Sequence, residues 1–177
     1  MRVRLKLPRR KTPFVYPIPP APRTAVLIPG FRSHGSVRVF AEGWCEDAAN
    51  FAPQALAGTL EQLDAFVATA SLPSHAIVVL GRWEDARVSE ADRERLWKRF
   101  RVPVFEQIVG RHGALLAAEC EAHHGLHIES EIVGARWRET HRIDESKCAC
   151  GRTTARIISL DEAAREERMR GMATFAR

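Results

Sequence analysis

The chain has 177 residues, 45 % apolar and 28 % charged, with a formal net charge of +5 at neutral pH. That length supports one domain with a real core, and the composition is that of an ordinary soluble globular protein. The mild positive charge permits a polyanionic partner without requiring one. Four cysteines, three of them clustered, do not make a secreted disulfide framework. No apolar run approaches the roughly 18 residues that a membrane span needs, so no membrane partner is expected. The basic start MRVRLKLPRRK lacks the apolar stretch of a signal peptide, and the cytoplasm is the expected location.

Residues 1–23 form a basic, proline-rich arm holding six of the ten prolines. MRVRLKL alternates like a short strand. The following PRRKTPFVYPIPPAPR opposes a helix and suits an extended path. Such an arm straps its own domain or contacts a second subunit. Nucleic acid is the least favoured partner, because Phe14 and Tyr16 do not form a stacking series.

Residues 24–158 read as an α/β domain. TAVLIPG (24–30) is a buried strand ending in a turn. FRSHGSVRVF (31–40) has the Gly and Ser of an anion loop but no GxxxxGK[ST] pattern, so it is a loop leading into a strand. Asp47 is expected to cap a helix whose apolar face is Phe51, Ala55, Leu56, Leu60, Leu63, Phe66 and Val67. HAIVVLG (75–81) is a continuous apolar run, as in a buried parallel strand. Ser89-Glu90-Ala91-Asp92 opens a helix with Leu96, Trp97 and Phe100 inward, and VPVFEQIVG (102–110) is the next strand. This alternation predicts a parallel sheet with covering helices, joined by right-handed crossovers.

From Cys120 to Cys150, 31 residues hold three of the four cysteines and four of the seven histidines. AAEC and LHIES, separated by EAHHG, predict a hairpin in which Cys120 and His127 face each other. Cys148-Ala149-Cys150-Gly151 resembles the second half of a zinc site, since Zn²⁺ takes four S or N ligands from two short segments. The expected set is Cys120, His127, Cys148 and Cys150, with His123 or His124 as substitutes for His127. A small zinc-binding hairpin region thus follows the parallel sheet. EIVGARWRETHRIDES (131–146) is strand-like and TARIISL (154–160) another strand; the SLDE capping box at Ser159 opens a C-terminal helix, 159–177, with a thin apolar stripe. That stripe, with the arm, points to a homo-oligomer or to a subunit of a larger complex.

Taken together, VPVFEQ (102–107), GALLAAECEAHHGLHIESEIV (113–133) and CACGRTTARI (148–157) resemble the adenylate-forming phenylacetate–CoA ligase and acyl-protein synthetase family. Upstream, WCEDAANFAPQALAGTLEQL and HAIVVLGRWEDARVSEADRERLWKRF resemble the family's helix–strand–helix units, so the likeness spans roughly 40–158. It implies part of that family's nucleotide-binding half, a structural zinc at the Cys/His set as in some relatives, and Asp144 as the ribose-binding aspartate. The family's SSGTTG-like phosphate loop has no counterpart. Where its YG-TE motif belongs, the chain reads Gln107-Ile108-Val109-Gly110-Arg111-His112-Gly113, without the adenine-stacking aromatic or the Mg²⁺-holding Glu. The family's lid domain with its Lys does not follow. Adenylation needs charge neutralisation in a closed site, so ATP and CoA are not expected as cofactors.

The reading that results is a zinc-binding, non-catalytic relative acting as a binding or accessory subunit. One alternative is an enzyme whose remaining pocket takes an acyl-CoA, acyl-adenylate or nucleotide, with His112 or His34 as base, or a catalytic zinc with Glu119 or Glu121 beside it. Another is nucleic-acid binding through the PRRK arm and the arginines of 136–142.

Overall fold

The structure is a computed structural model that describes residues 11–66, 72–85, 87–131, 137–138 and 141–158. In chain order its elements are β1 (Thr12–Pro13), β2 (Thr24–Val26), β3 (Phe31–Arg32), β4 (Val37–Val39), α1 (Glu46–Asn50), β5 (Ala55–Gly58), α2 (Leu60–Ala65), β6 (Ala76–Gly81), α3 (Glu90–Phe100), β7 (Val104–Val109), a 3₁₀ turn (Arg111–Gly113), β8 (Leu115–Glu119), β9 (Leu126–Ile128), β10 (Arg142–Asp144) and β11 (Arg156–Ile158).

Nine strands make one mixed sheet in the order β10-β11-β9-β8-β7-β6-β5-β2-β4. From β4 to β7 neighbouring strands are parallel. From β7 to β10 they are antiparallel. The parallel sheet expected from the alternation is therefore only half of it. The hairpin is not an appended region: β8 pairs with the edge of β7, whose backbone N–H and C=O groups would otherwise lie open. β2, β5 and β6 are buried on both faces, which is why their sequences are continuous apolar runs.

The two faces are covered differently. On one, α2 and α3 pack through Leu63, Leu96 and Phe100 onto Ala25, Leu56, Ile77, Val79 and Val104. On the other, no helix among the described residues contributes to the cluster of Val26, Val37, Ala57, Val78, Leu80 and Phe105; the arm contributes Phe14 instead. Phe14 is buried and meets Phe31 edge-on at 5.6 Å. β1 pairs with β3, and the Gln107 side-chain amide donates to the Val15 carbonyl at 2.9 Å. Residues 12–16 thus run over the domain's own surface.

The single helix expected from Asp47 to Val67 is overturned. α1 stops at Asn50, Ala52 takes φ 48°, and Ala55–Gly58 is a fully buried strand. Pro53 removes an N–H donor and disfavours helix at the residue before it. Thr59 and Gln62 then start a new helix with a complete capping box. The N-cap of α1 is Cys45, not Asp47. α3 opens at Ser89 as expected, closed there by a Ser89/Asp92 capping box, but Trp97 is 49 % exposed rather than inward. It lies about 100° round the helix from the buried Leu96, with the Arg101 guanidinium 4.8 Å from its ring centre.

Among the described residues of the strand-like run 131–146, Arg142–Asp144 is a strand, and the His141 N–H donates to the Trp137 carbonyl at 2.8 Å. The expected strand MRVRLKL, Val67 and the C-terminal helix 159–177 lie outside the described residues. Among the described residues, no helix is long and apolar enough to cross a membrane.

Candidate metal centre

Two loops meet at the antiparallel end of the sheet. The first joins β8 to β9. Ala118 pairs with His127 and Glu119 with Leu126, so Cys120 sits just beyond β8, one diagonal step from His127 rather than opposite it. His123 takes φ 52° and its N–H donates to the Cys120 carbonyl at 3.0 Å, folding the chain back. Gly125 completes the turn at φ +81°; a Cβ there would stand 2.4 Å from the Ile157 carbonyl oxygen. The second loop leads into β11. The Gly151 N–H donates to the Cys148 carbonyl at 2.9 Å and the Cys148 N–H to the Arg152 carbonyl at 3.0 Å, a tight turn that brings both thiols to one side.

Cys120 Sγ, Cys148 Sγ, Cys150 Sγ and one His127 ring nitrogen all lie within 4.8 Å of one another. Cys120 Sγ is 3.7 Å from Cys148 Sγ, and Cys150 Sγ is 3.5 Å from His127 Nε2. All four described cysteines are free thiols. A disulfide would need about 2.05 Å between sulfurs. A tetrahedral ion with bonds of about 2.3 Å to sulfur and about 2.05 Å to nitrogen has S–S edges of about 3.8 Å and S–N edges of about 3.6 Å. The Cys120–Cys148 and Cys150–His127 separations match those edges and the other pairs lie within 4.8 Å, so the cluster could hold a metal ion.

The surroundings favour ligation. His127 is fully buried, with Nδ1 2.8 Å from Thr154 Oγ1 and 3.2 Å from the Thr154 carbonyl. The carbonyl can only accept, so the proton belongs on Nδ1 and the Nε2 lone pair faces the thiols. Burial and the charge of Arg152 hold the imidazole below its usual pKa, which keeps it neutral. Burial pushes the Cys120 thiol up to about 12. Cys148 goes the other way: burial raises it, but the Cys150 backbone N–H, the neighbouring thiols and Arg156 together bring it below its usual value. Loading a metal here releases thiol protons.

The other expected residues are placed elsewhere. His123 stacks on Phe105 at 4.7 Å and its Nδ1 lies 3.2 Å from Glu119 Oε1, outside the cluster of four. His124 is exposed and outside the cluster. Asp144 pairs with Arg156 and accepts the Ser146 N–H at 2.8 Å. Glu119 is buried and occupied: it accepts from Arg93 Nη1 at 3.0 Å and from the Glu106 N–H at 2.8 Å. Burial raises its pKa, but His123 and Arg93 outweigh this and hold it low. Glu121, His112 and His34 are exposed.

Sequence reasoning missed Thr154 and Arg156, which support the cluster, and Glu106, which with Glu119 binds Arg93 and also pairs with Arg87. The one available signal was a charged residue inside an otherwise apolar strand, Glu106 in VFEQIV and Arg156 in RII. Just past the C-terminal ends of β2 and β5, the Gln62 side chain donates to the Leu27 carbonyl at 2.9 Å and accepts from the Thr59 N–H at 3.0 Å. Compared with known proteins, the chain matches no family model and no curated sequence.

Proposed function

We propose that this chain binds one structural zinc ion through Cys120, His127, Cys148 and Cys150, and that it works as a non-catalytic binding or accessory subunit related to the adenylate-forming ligases. The observation that carries the metal reading is the match of the Cys120–Cys148 and Cys150–His127 separations to the edges of an S₃N tetrahedron. Zinc fits the donor set best, because thiolate and imidazole in tetrahedral array suit it and oxygen-seeking ions find no carboxylate in the cluster. Four protein ligands leave no open position for water or substrate, which is the pattern of structural sites. The ligase kinship is supported by CACGRTTARI and ECEAHHGLHI, and the non-catalytic role by residues 107–113, which lack the family's Mg²⁺-binding Glu and adenine-stacking aromatic.

Metal analysis of the purified, reduced chain tests the first part. One zinc per chain is expected, removable by chelator with the appearance of three titratable thiols beyond Cys45. A reduced chain that retains no metal after incubation with Zn²⁺ would remove the proposal's basis. Carboxylate-dependent exchange between ATP and pyrophosphate tests the second part, and activity above background would overturn it.

A further inference from the structure

Arg156 is only 3 % exposed, on the strand paired with the one that carries His127, and its register partner is His127 itself. A buried guanidinium is costly unless its donors are used. Here the two Nη groups are spent on both ligand-bearing loops, while the buried Nε–H has no partner among the described residues. Nη1 donates to the His124 carbonyl at 3.0 Å in the first loop and to Cys148 Sγ at 3.6 Å in the second. Nη2 pairs with Asp144 and donates to Ser146 Oγ at 3.3 Å, on the chain leading into the second loop. Three thiolates and a neutral imidazole around a divalent ion leave a net charge of about −1 on a buried centre. That charge needs a cation or a donor nearby.

We infer that Arg156 is the positioning residue of the metal centre: it ties the two ligand loops together before the ion arrives and donates an N–H···S hydrogen bond to the Cys148 thiolate once it is bound. This rests on the zinc reading above. Groups behind metal ligands fix ligand orientation and tune ligand basicity. Arg156 does both from one planar head, a task its five donors in fixed directions allow and a lysine ammonium does not.

The test uses the full chain with Zn²⁺ in competition against a chromophoric chelator, and Co²⁺ as a spectroscopic substitute whose sulfur-to-metal charge-transfer band reports on the thiolates. Arg156→Gln is expected to weaken zinc binding by about 10- to 100-fold and to shift the cobalt band. Asp144→Asn removes the ion pair but keeps the N–H···S contact, and is expected to leave the band where it is in the unaltered chain. If Arg156→Gln does not fold, Arg156→Lys serves, with weakened binding and a shifted band again expected. A folded position-156 variant with the original affinity and band overturns this inference alone. An unaltered chain that binds neither ion overturns the metal reading itself.

Discussion

Gly125 shows how narrowly the first ligand loop is drawn. Its φ of +81° is open to glycine, and a Cβ would sit 2.4 Å from the Ile157 carbonyl, which is backbone and cannot swing away. Gly125→Ala is expected to lose at least about 1–2 kcal/mol from the left-handed conformation alone, seen as a lower urea midpoint, and to weaken metal binding because Cys120 and His127 flank the turn. The ligands themselves are separable by substitution. Cys148→Ser is expected to drop zinc content from one per chain to a small fraction, because a serine hydroxyl stays protonated at neutral pH and is a poor ligand. His123→Ala is expected to leave it at one, since the His123 ring is engaged by Phe105 and Glu119. Equal loss in both variants would mean the histidine has been misassigned.

Among the elements, α3 tests local stability apart from the metal. Ser89 and Asp92 close its N-terminus reciprocally, with Asp92 N–H to Ser89 Oγ at 3.1 Å and Ser89 N–H to Asp92 Oδ2 at 3.1 Å. Ser89→Ala is expected to cost about 1 kcal/mol. The Ser89 hydroxyl, ahead of Arg95, holds the Asp92 carboxyl below its usual pKa. A lowered folded-state pKa stabilises above the unfolded value of about 3.9, and that contribution disappears as pH falls through the lower folded value. Denaturation midpoints at pH 6 and pH 3 are expected to fall more steeply in the unaltered chain than in Asp92→Asn. This helix was legible in the sequence because its cap and its 3.6-residue period agree. The segment before it was not. Ala55, Leu56, Leu60 and Leu63 also sit at helical spacing, and the period alone does not separate a buried four-residue strand plus a short helix from one longer helix. Pro53 and the Thr59 cap carried the distinction. The metal cluster was legible for a different reason: cysteine and histidine seldom crowd by chance, whereas the register that sets Cys120 diagonal to His127 is fixed by pairing among distant strands.

At the scale of the described fold, the nine-stranded sheet has two unequal ends. The parallel half is held by two apolar clusters, one under α2 and α3 and one under the N-terminal strap. The antiparallel half has a smaller cluster, Ile108, Ala117, Leu126, Trp137 and Ile157, and β9, β10 and β11 are three residues each. That smaller cluster buries less apolar surface, so on the zinc reading proposed above the ion and the Arg156–Asp144 pair together fix these strands. β8 is in a different position. Glu119 at its end is clamped by Arg93 of α3 and by the Glu106 N–H of β7, contacts that do not involve the cluster. Chelation of the metal is therefore expected to divide the sheet rather than melt it. Amide hydrogen exchange on the metal-free, reduced chain is expected to speed up through β9, β11 and β10, while β2, β5, β6, β7 and β8 keep their protection. Uniform loss along all nine strands would show that the parallel half depends on the ion as well. Unchanged exchange in β9 would show that the ion holds nothing in place.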